Sequence, residues 1–245
     1  MSALIFGLPR SGKSTLAVTC PAPRLYLDAE GGVDFLPILP KFWDPKTEAP
    51  PEPDGTWDTA VVTVTDWDLV LTVYQWLNSG QHPFVSVVMD SVSEMQQKLI
   101  EKMAGRMQPS QQQWGEVLRG FTGLLRDFRD LKLHPTKPIK MLSLVAMAKT
   151  GDGGKLVPWF QGQSSVMIPY FFDINGAMIA IPQTTENGAV LVTHRLQIGP
   201  HQFYETGQRV GGRLPSWIDD PNLSTMLNMV FPEPAATPPA EASAS

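Results

Sequence analysis

The sequence predicts an α/β fold: a mostly parallel, twisted sheet flanked by helices and extended near its C-terminal end by a β-hairpin. Three observations carry this. Apolar runs suited to buried strands (Ala3–Phe6, Arg24–Leu27, Val61–Val64, Phe84–Met89 and Ile139–Ala146) alternate with stretches of helical periodicity. A glycine-bearing loop, Gly7-Leu8-Pro9-Arg10-Ser11-Gly12-Lys13-Ser14 followed by Thr15, sits between the first strand and the first helix. Late in the chain, Ala177–Ile181 and Ala189–Leu196 are strand-like and flank Glu186-Asn187-Gly188, a turn signal, so they should pair with each other.

The bulk composition bounds the rest. A chain of 245 residues with 42% hydrophobic content supports one sizeable core. The expected division is a single domain over residues 1–230 and a disordered Ala/Pro/Ser-rich tail over 231–245. A net charge of −5 gives no global basic field for nucleic acid, although a local basic loop can sit on an acidic protein. The single cysteine, Cys20, rules out an intrachain disulfide framework and suits a reducing cytoplasm. No apolar run reaches the length of a membrane helix, and no basic stretch precedes an apolar one as in a signal peptide. The four histidines are dispersed without metal-ligand spacing, which speaks against a zinc site.

In chain order, Ala3–Phe6 leads into the loop at Gly7–Ser14, which fits the pattern G-x-x-x-x-G-K-[ST]. A strand, a glycine loop and a helix opening at Ser14 point successive backbone N–H groups at one spot, as a polyphosphate requires. Gly7 and Gly12 allow close backbone approach, Lys13 can reach the β- and γ-phosphates, and the Ser14 hydroxyl can ligate Mg²⁺. The second strand ends in Asp28-Ala29-Glu30-Gly31-Gly32, with two carboxylates at an edge where open α/β sheets bind ligands. Residues 36–57 are rich in proline and acidic side chains and read as a surface excursion. Asp66 or Asp68 can cap a helix over Leu69–Leu77.

The run Phe84–Met89 closes on Asp90, a carboxylate placed to hold Mg²⁺ through water. Helical pattern follows over Ser93–Met103, then a polar loop over Gln108–Gln113, then a long amphipathic helix over Trp114–Leu131. Ile139–Ala146 closes on Met147-Ala148-Lys149, and a flexible loop over Thr150–Lys155 continues into Trp159–Gln163. A helix is expected around Ser165–Phe171. After the hairpin come a glycine-flanked basic loop at Gln208–Pro215 and a last helix over Leu223–Phe231.

Hydrolysis needs a water held and polarised opposite the leaving phosphate, commonly by a carboxylate. Glu30 is the candidate base and Asp28 a structural partner; the other reading is two solvated carboxylates at a strand end. The order of these pieces carries a resemblance. Leu25-Tyr26-Leu27-Asp28-Ala29-Glu30 resembles the RecA-type strand ending in Asp-Ala-Glu, and Val87–Asp90-Ser91 resembles the Walker B strand of that group. The chain is similar to phage RecA-like single-strand annealing ATPases of the Sak type, which are little more than the core. A first strand that starts at the third residue leaves no room for a preceding domain in that comparison.

The resemblance implies a RecA-like P-loop NTPase core that binds ATP and Mg²⁺. Catalysis falls to Glu30 and Lys13, ATP binding to Gly7–Thr15, and the metal to Ser14 and Asp90. It also implies binding of single-stranded DNA, annealing or strand exchange, and a homo-oligomer (ring or filament) with ATP at the subunit interface. A single-strand binding protein is a further partner, and the setting is the cytoplasm, the host's if phage-encoded. DNA-facing regions would be 106–114 and 149–163, with Arg106, Lys149 and Lys155 for phosphates and Trp114, Trp159 and Phe160 for stacking. The other reading makes those aromatics core and those lysines solvated. RecA has a coupling glutamine where this chain has Met147-Ala148-Lys149, which makes Lys149 the available substitute. A cation from the neighbouring subunit would come from Arg209 or Arg213, or from Arg195 third. Two other classes share the opening strand and loop: a small-molecule or nucleotide kinase, and an accessory ATPase such as a helicase loader. The first would need an arginine-rich lid, and the second a sensor arginine in a helical lid. The sequence displays neither.

Overall fold

β1 (Ser2–Gly7) is buried along its whole length, which fits a continuous apolar run flanked by parallel neighbours on both sides. The computed structural model describes residues 1–184, 187–188 and 190–232. After β1 come α1 (Lys13–Ala17), β2 (Arg24–Asp28), β3 (Pro40–Phe42), β4 (Thr59–Thr63) and α2 (Trp67–Ser79). The middle of the chain forms β5 (Ser86–Asp90), α3 (Val92–Ala104), α4 (Gln111–Asp130) and β6 (Met141–Thr150). It closes with β7 (Leu156–Pro158), α5 (Ser164–Met167), β8 (Ile174–Thr184), β9 (Val190–Gln197), β10 (Gly207–Gln208), β11 (Trp217–Asp219) and α6 (Leu223–Val230).

The sheet runs β11-β9-β8-β1-β6-β5-β2-β4-β3, and every pairing from β8 to β3 is parallel. The expected mostly parallel sheet flanked by helices is therefore present. β8 and β9 pair antiparallel from Ala177↔Gln197 to Thr184↔Val190, so the late hairpin extends the sheet beyond β1. Within its expected turn and strand start, Glu186 and Ala189 lie outside the described residues, as do residues 233–245 of the expected tail.

Alternation along the strands sorts side chains onto two faces. Leu4, Phe6, Leu25, Leu27, Val87, Met89 and Leu144 pack against α2, α3 and α4. Ala3, Ile5, Tyr26, Val88 and Val145 pack against α1 and α6. α4 anchors the first layer: Phe121 is fully buried, 6.0 Å from the Trp67 ring and 5.9 Å from Phe160.

Two expectations change. Residues 36–57 are not wholly a surface excursion, because Pro40–Phe42 adds a parallel edge strand to β4 and Trp43 and Trp57 are buried around Phe84. Nor is Gln108–Gln113 all loop. Ser110 caps α4, its hydroxyl accepting from Gln113 N (3.3 Å) while Gln113 Oε1 accepts from Ser110 N (2.8 Å). This capping box starts the helix three residues earlier than the apolar pattern alone suggests. Asp66 is the cap of α2, accepting from Leu69 N at 2.9 Å. Phe121→Ala should lower unfolding free energy by about 3–5 kcal/mol, read from urea titration, because it leaves a cavity between α4 and its two aromatic neighbours.

Candidate active site

The carboxyl-terminal ends of β1, β5 and β2 carry the site. Gly7 closes β1 where an added Cβ would stand 2.5 Å from the Met178 carbonyl oxygen, so β8 leaves space for nothing larger. The loop then turns through Arg10 (φ 62°) and Gly12 (φ 91°), and the Leu16 N–H reaches the Gly12 carbonyl at 2.9 Å to begin α1. Leu8, Pro9, Arg10 and Thr15 are exposed, while Ser11 is buried. The Lys13 ammonium donates to the Leu8 carbonyl (2.9 Å), which folds the loop back on itself. Burial holds the Lys13 pKa below its ordinary value, and Asp90 and Glu30 act in the opposite direction.

β1 and β5 are not neighbours. β6 lies between them, and β2 lies beyond β5, so two strands, β6 and β5, separate it from the P-loop strand. Parallel register nevertheless sets Asp28 opposite Asp90 at the same edge. α1 brings Lys13 and Ser14 across β6 to these carboxylates. Asp90 is buried and accepts from the Tyr26 hydroxyl at 2.5 Å. Its pKa is raised, mainly by burial and further by the charges of Glu30 and Asp28, against hydrogen bonds from Ser14 and Tyr26. Burial and the adjacent Asp90 charge push the Tyr26 phenol well above its ordinary range, so it remains a proton donor.

Asp28 acts as a turn organiser. It accepts from the backbone N–H groups of Glu30 (3.2 Å), Gly31 (2.8 Å), Gly32 (3.4 Å) and Val33 (3.3 Å). That turn presents Glu30 at the surface, where its Oε1 accepts a hydrogen bond from the Ser91 hydroxyl. The same Ser91 oxygen caps α3 by accepting from Glu94 N at 3.3 Å. The Asp90 carboxylate beside the Ser14 hydroxyl offers two oxygen ligands of the kind a hard divalent cation takes, with the rest of its shell left to water and phosphate, whereas the Asp28 oxygens are spent on backbone N–H groups.

The sequence had no signal for two contributors. His194 Nδ1 donates to the Ser11 carbonyl at 3.0 Å, and a Cβ on Gly12 would stand 2.8 Å from that nitrogen. The hairpin thus buttresses the P-loop. Tyr26 is the other. Its apolar flanks give no hint that its hydroxyl would meet Asp90.

The remaining expected residues scatter. Phe160 is buried against Phe121 and cannot stack on a base, so the stacking expectation is corrected for it. Trp159 is 43% exposed, and its backbone N–H reaches the Met147 carbonyl at 2.7 Å. Trp114 is partly buried, beside Gly162. Lys149 donates to the Phe160 carbonyl (3.4 Å), and Arg106 and Lys155 are exposed. Arg195 stands at the P-loop end of β9, bound twice to Asp219 (2.6 and 2.9 Å). Arg209 and Arg213 lie at the opposite edge of the sheet. Arg209 pairs with Asp173 at 3.0 Å, and Arg213 donates to the Val230 carbonyl at 2.8 Å. Within one chain neither reaches Lys13.

A P-loop between β1 and α1, opposed by strand-end carboxylates across an intervening strand, defines a P-loop nucleotide-binding domain. The family described as an AAA domain (AAA_24) matches residues 1–210, and the chain belongs to it. It is an AAA-type P-loop ATPase domain. Among solved structures, a prototypical ATPase from the type III secretion system of pathogenic bacteria is 15% identical, with a TM-score of 0.47. The alignment covers 72% of this chain and 51% of that one, so the chain spans about half the length of that protein. No curated protein matches the sequence.

Because the folded chain raises the Asp90 pKa, it favours the protonated carboxyl more than the unfolded chain does, and Asp90 costs stability as pH rises. Asp90→Asn should therefore raise the melting temperature of the nucleotide-free protein at neutral pH. The gain should shrink toward acid, in melts run from pH 5 to 8. The same variant should lose Mg²⁺-dependent ATP turnover.

Proposed function

We propose that this chain is an ATP-hydrolysing, RecA-like protein of the phage annealing type that binds single-stranded DNA and promotes annealing or strand exchange. One observation carries the reading. The two segments expected to face DNA, far apart in sequence, meet in one groove of about 280 Å³. Trp114 offers it a ring and Gln111 and Gln163 offer amides that can both donate and accept toward base edges, while the Gln161 amide donates to Gln97 Oε1 at 2.8 Å.

The groove is tied to the nucleotide edge. Gln96 on α3 is buried, accepts from Gln161 N (2.8 Å) and donates to the Gln161 carbonyl (3.2 Å) and to Ser164 Oγ (3.2 Å). Ser93 donates to the Trp159 carbonyl (2.8 Å) and accepts from Met147 N (3.1 Å). Both residues follow Ser91, which holds Glu30. A shift of Glu30 toward a γ-phosphate therefore acts on the helix that clamps the groove. In this reading α3 takes over the coupling role expected of Lys149.

Glu30 accepts the proton of the attacking water, Lys13 neutralises charge developing on the phosphate, and the amides of Gly7–Thr15 cradle the polyphosphate. Ser14 and Asp90 would hold Mg²⁺, which supplies charge neutralisation to the β- and γ-phosphates when bound. The chain would act as a ring or filament with ATP at the subunit interface, alongside a single-strand binding protein, in the cytoplasm of the cell or phage host. Of the three candidate arginines, Arg195 is the one on the P-loop edge, and it would have to leave its pair with Asp219 to serve a neighbour.

Glu30→Gln should retain ATP binding while turnover falls about 10²–10⁴-fold in a phosphate-release assay. Single-stranded DNA should stimulate the ATPase, and its binding should weaken steeply between 50 and 200 mM salt, as counterion release requires. Absence of stimulation, together with phosphorylation of a small acceptor, would reassign the chain as a kinase.

A further inference from the structure

We propose that the amino-terminal edge of the sheet, opposite the P-loop, carries a second anion site that takes phosphate groups. The site is a basin of about 390 Å³ lined by Lys132, Asp173, Arg209 and Arg213, with Val210 and Phe231 at its sides. It is far from Lys13 because β8 runs parallel to β1. Asp173 and Arg209 flank the start of these strands, whereas Gly7 ends β1.

The cations come from three separate parts of the chain. Lys132 follows the end of α4. Arg209 is fixed before any ligand arrives: its Nε donates to Asp173 Oδ1 (3.0 Å), its Nη2 to the Phe171 carbonyl (3.3 Å), and its backbone N–H to the Asp173 carbonyl (2.9 Å). Asp173 is fixed in turn by the Ser2 N–H (2.8 Å) and hydroxyl (2.9 Å), and its pKa is held low. Arg213 spends one N–H on the Val230 carbonyl and, among the described residues, keeps the others.

The surroundings add charge of the same sign. Arg126 stacks 4.3 Å above the Phe171 ring, beside the carbonyl that Arg209 uses. Arg129 pairs with Asp130 at 2.7 Å and also feels Asp173. Lys132 acts electrostatically on both Asp130 and Asp173, and among the described residues its ammonium makes no hydrogen bond. In the basin's own lining, Lys132, Arg209 and Arg213 stand against the single carboxylate of Asp173, which concentrates positive charge at one place on a chain whose net charge is −5. Arginine forks on an anchored loop suit phosphate oxygens. The source is either a free polyphosphate or the phosphodiester backbone of a nucleic acid. This site does not depend on how the P-loop edge is used.

The test uses the full chain with Lys13→Ala, which weakens the P-loop as a competing site, and inorganic tripolyphosphate as the titrant in calorimetry. Tripolyphosphate should still bind this background. Adding Lys132→Gln should weaken it about fivefold, and adding Arg213→Gln about tenfold or more. Lys132→Gln breaks no hydrogen bond and leaves the ATPase of the otherwise native chain unchanged, so it remains informative if Arg213→Gln perturbs α6. Displacement of tripolyphosphate by a 20-nucleotide oligothymidylate would assign the site to nucleic-acid backbone. Failure to displace would assign it to free polyphosphate. No binding to the Lys13→Ala chain, or binding indifferent to both added substitutions, would overturn the proposal.

Discussion

A carboxylate that must be buried to do its work constrains much of this molecule. Asp90 sits at the end of a strand covered on both faces, and burial disfavours its charged form. The fold keeps it usable through neighbours: a Tyr26 hydroxyl that stays protonated, the Ser14 hydroxyl, and the Lys13 ammonium nearby. Each partner arrives on a different element, so α1, β2 and β5 must keep their mutual register for the site to exist. Parallel pairing supplies that register, with Asp28 opposite Asp90 and Gly7 opposite Met147.

Support from the other side of the P-loop is equally specific. β8 and β9 continue past the end of β1. The Met178 carbonyl then limits Gly7, and the His194 ring limits Gly12 while binding the Ser11 carbonyl. The loop is therefore shaped both by its own glycines and by a hairpin far along the chain, with His194 standing 183 residues from Ser11.

Between the nucleotide edge and the glutamine-lined groove, polar side chains do the connecting. Ser91, Ser93 and Gln96 occupy the first turns of α3: Ser91 ties the helix to Glu30, and Ser93 and Gln96 tie it to the segment at Trp159 and Gln161. Buried amides of this kind are costly to leave unpaired, so the loop they hold is specified rather than merely tolerated.

The sequence by itself determined the long buried strands and the phosphate loop, because local pattern suffices for both. A long apolar run has few alternatives to a buried parallel strand, and G-x-x-x-x-G-K-S after such a run encodes its own backbone geometry. It also placed Glu30 and Asp90 at strand ends. Local pattern fell short where polar chemistry or distant packing decided: the capping box at Ser110 lengthened α4, and buried tryptophans drew residues 36–57 into the sheet. Only the tertiary structure decided that β6 separates the P-loop from Asp90, that Tyr26 and His194 serve the site, that Phe160 is core, and that Arg209 and Arg213 lie at the far edge. The physical reason is strand order. Which strands become neighbours depends on packing among residues far apart in the chain, and no spacing within the sequence records it.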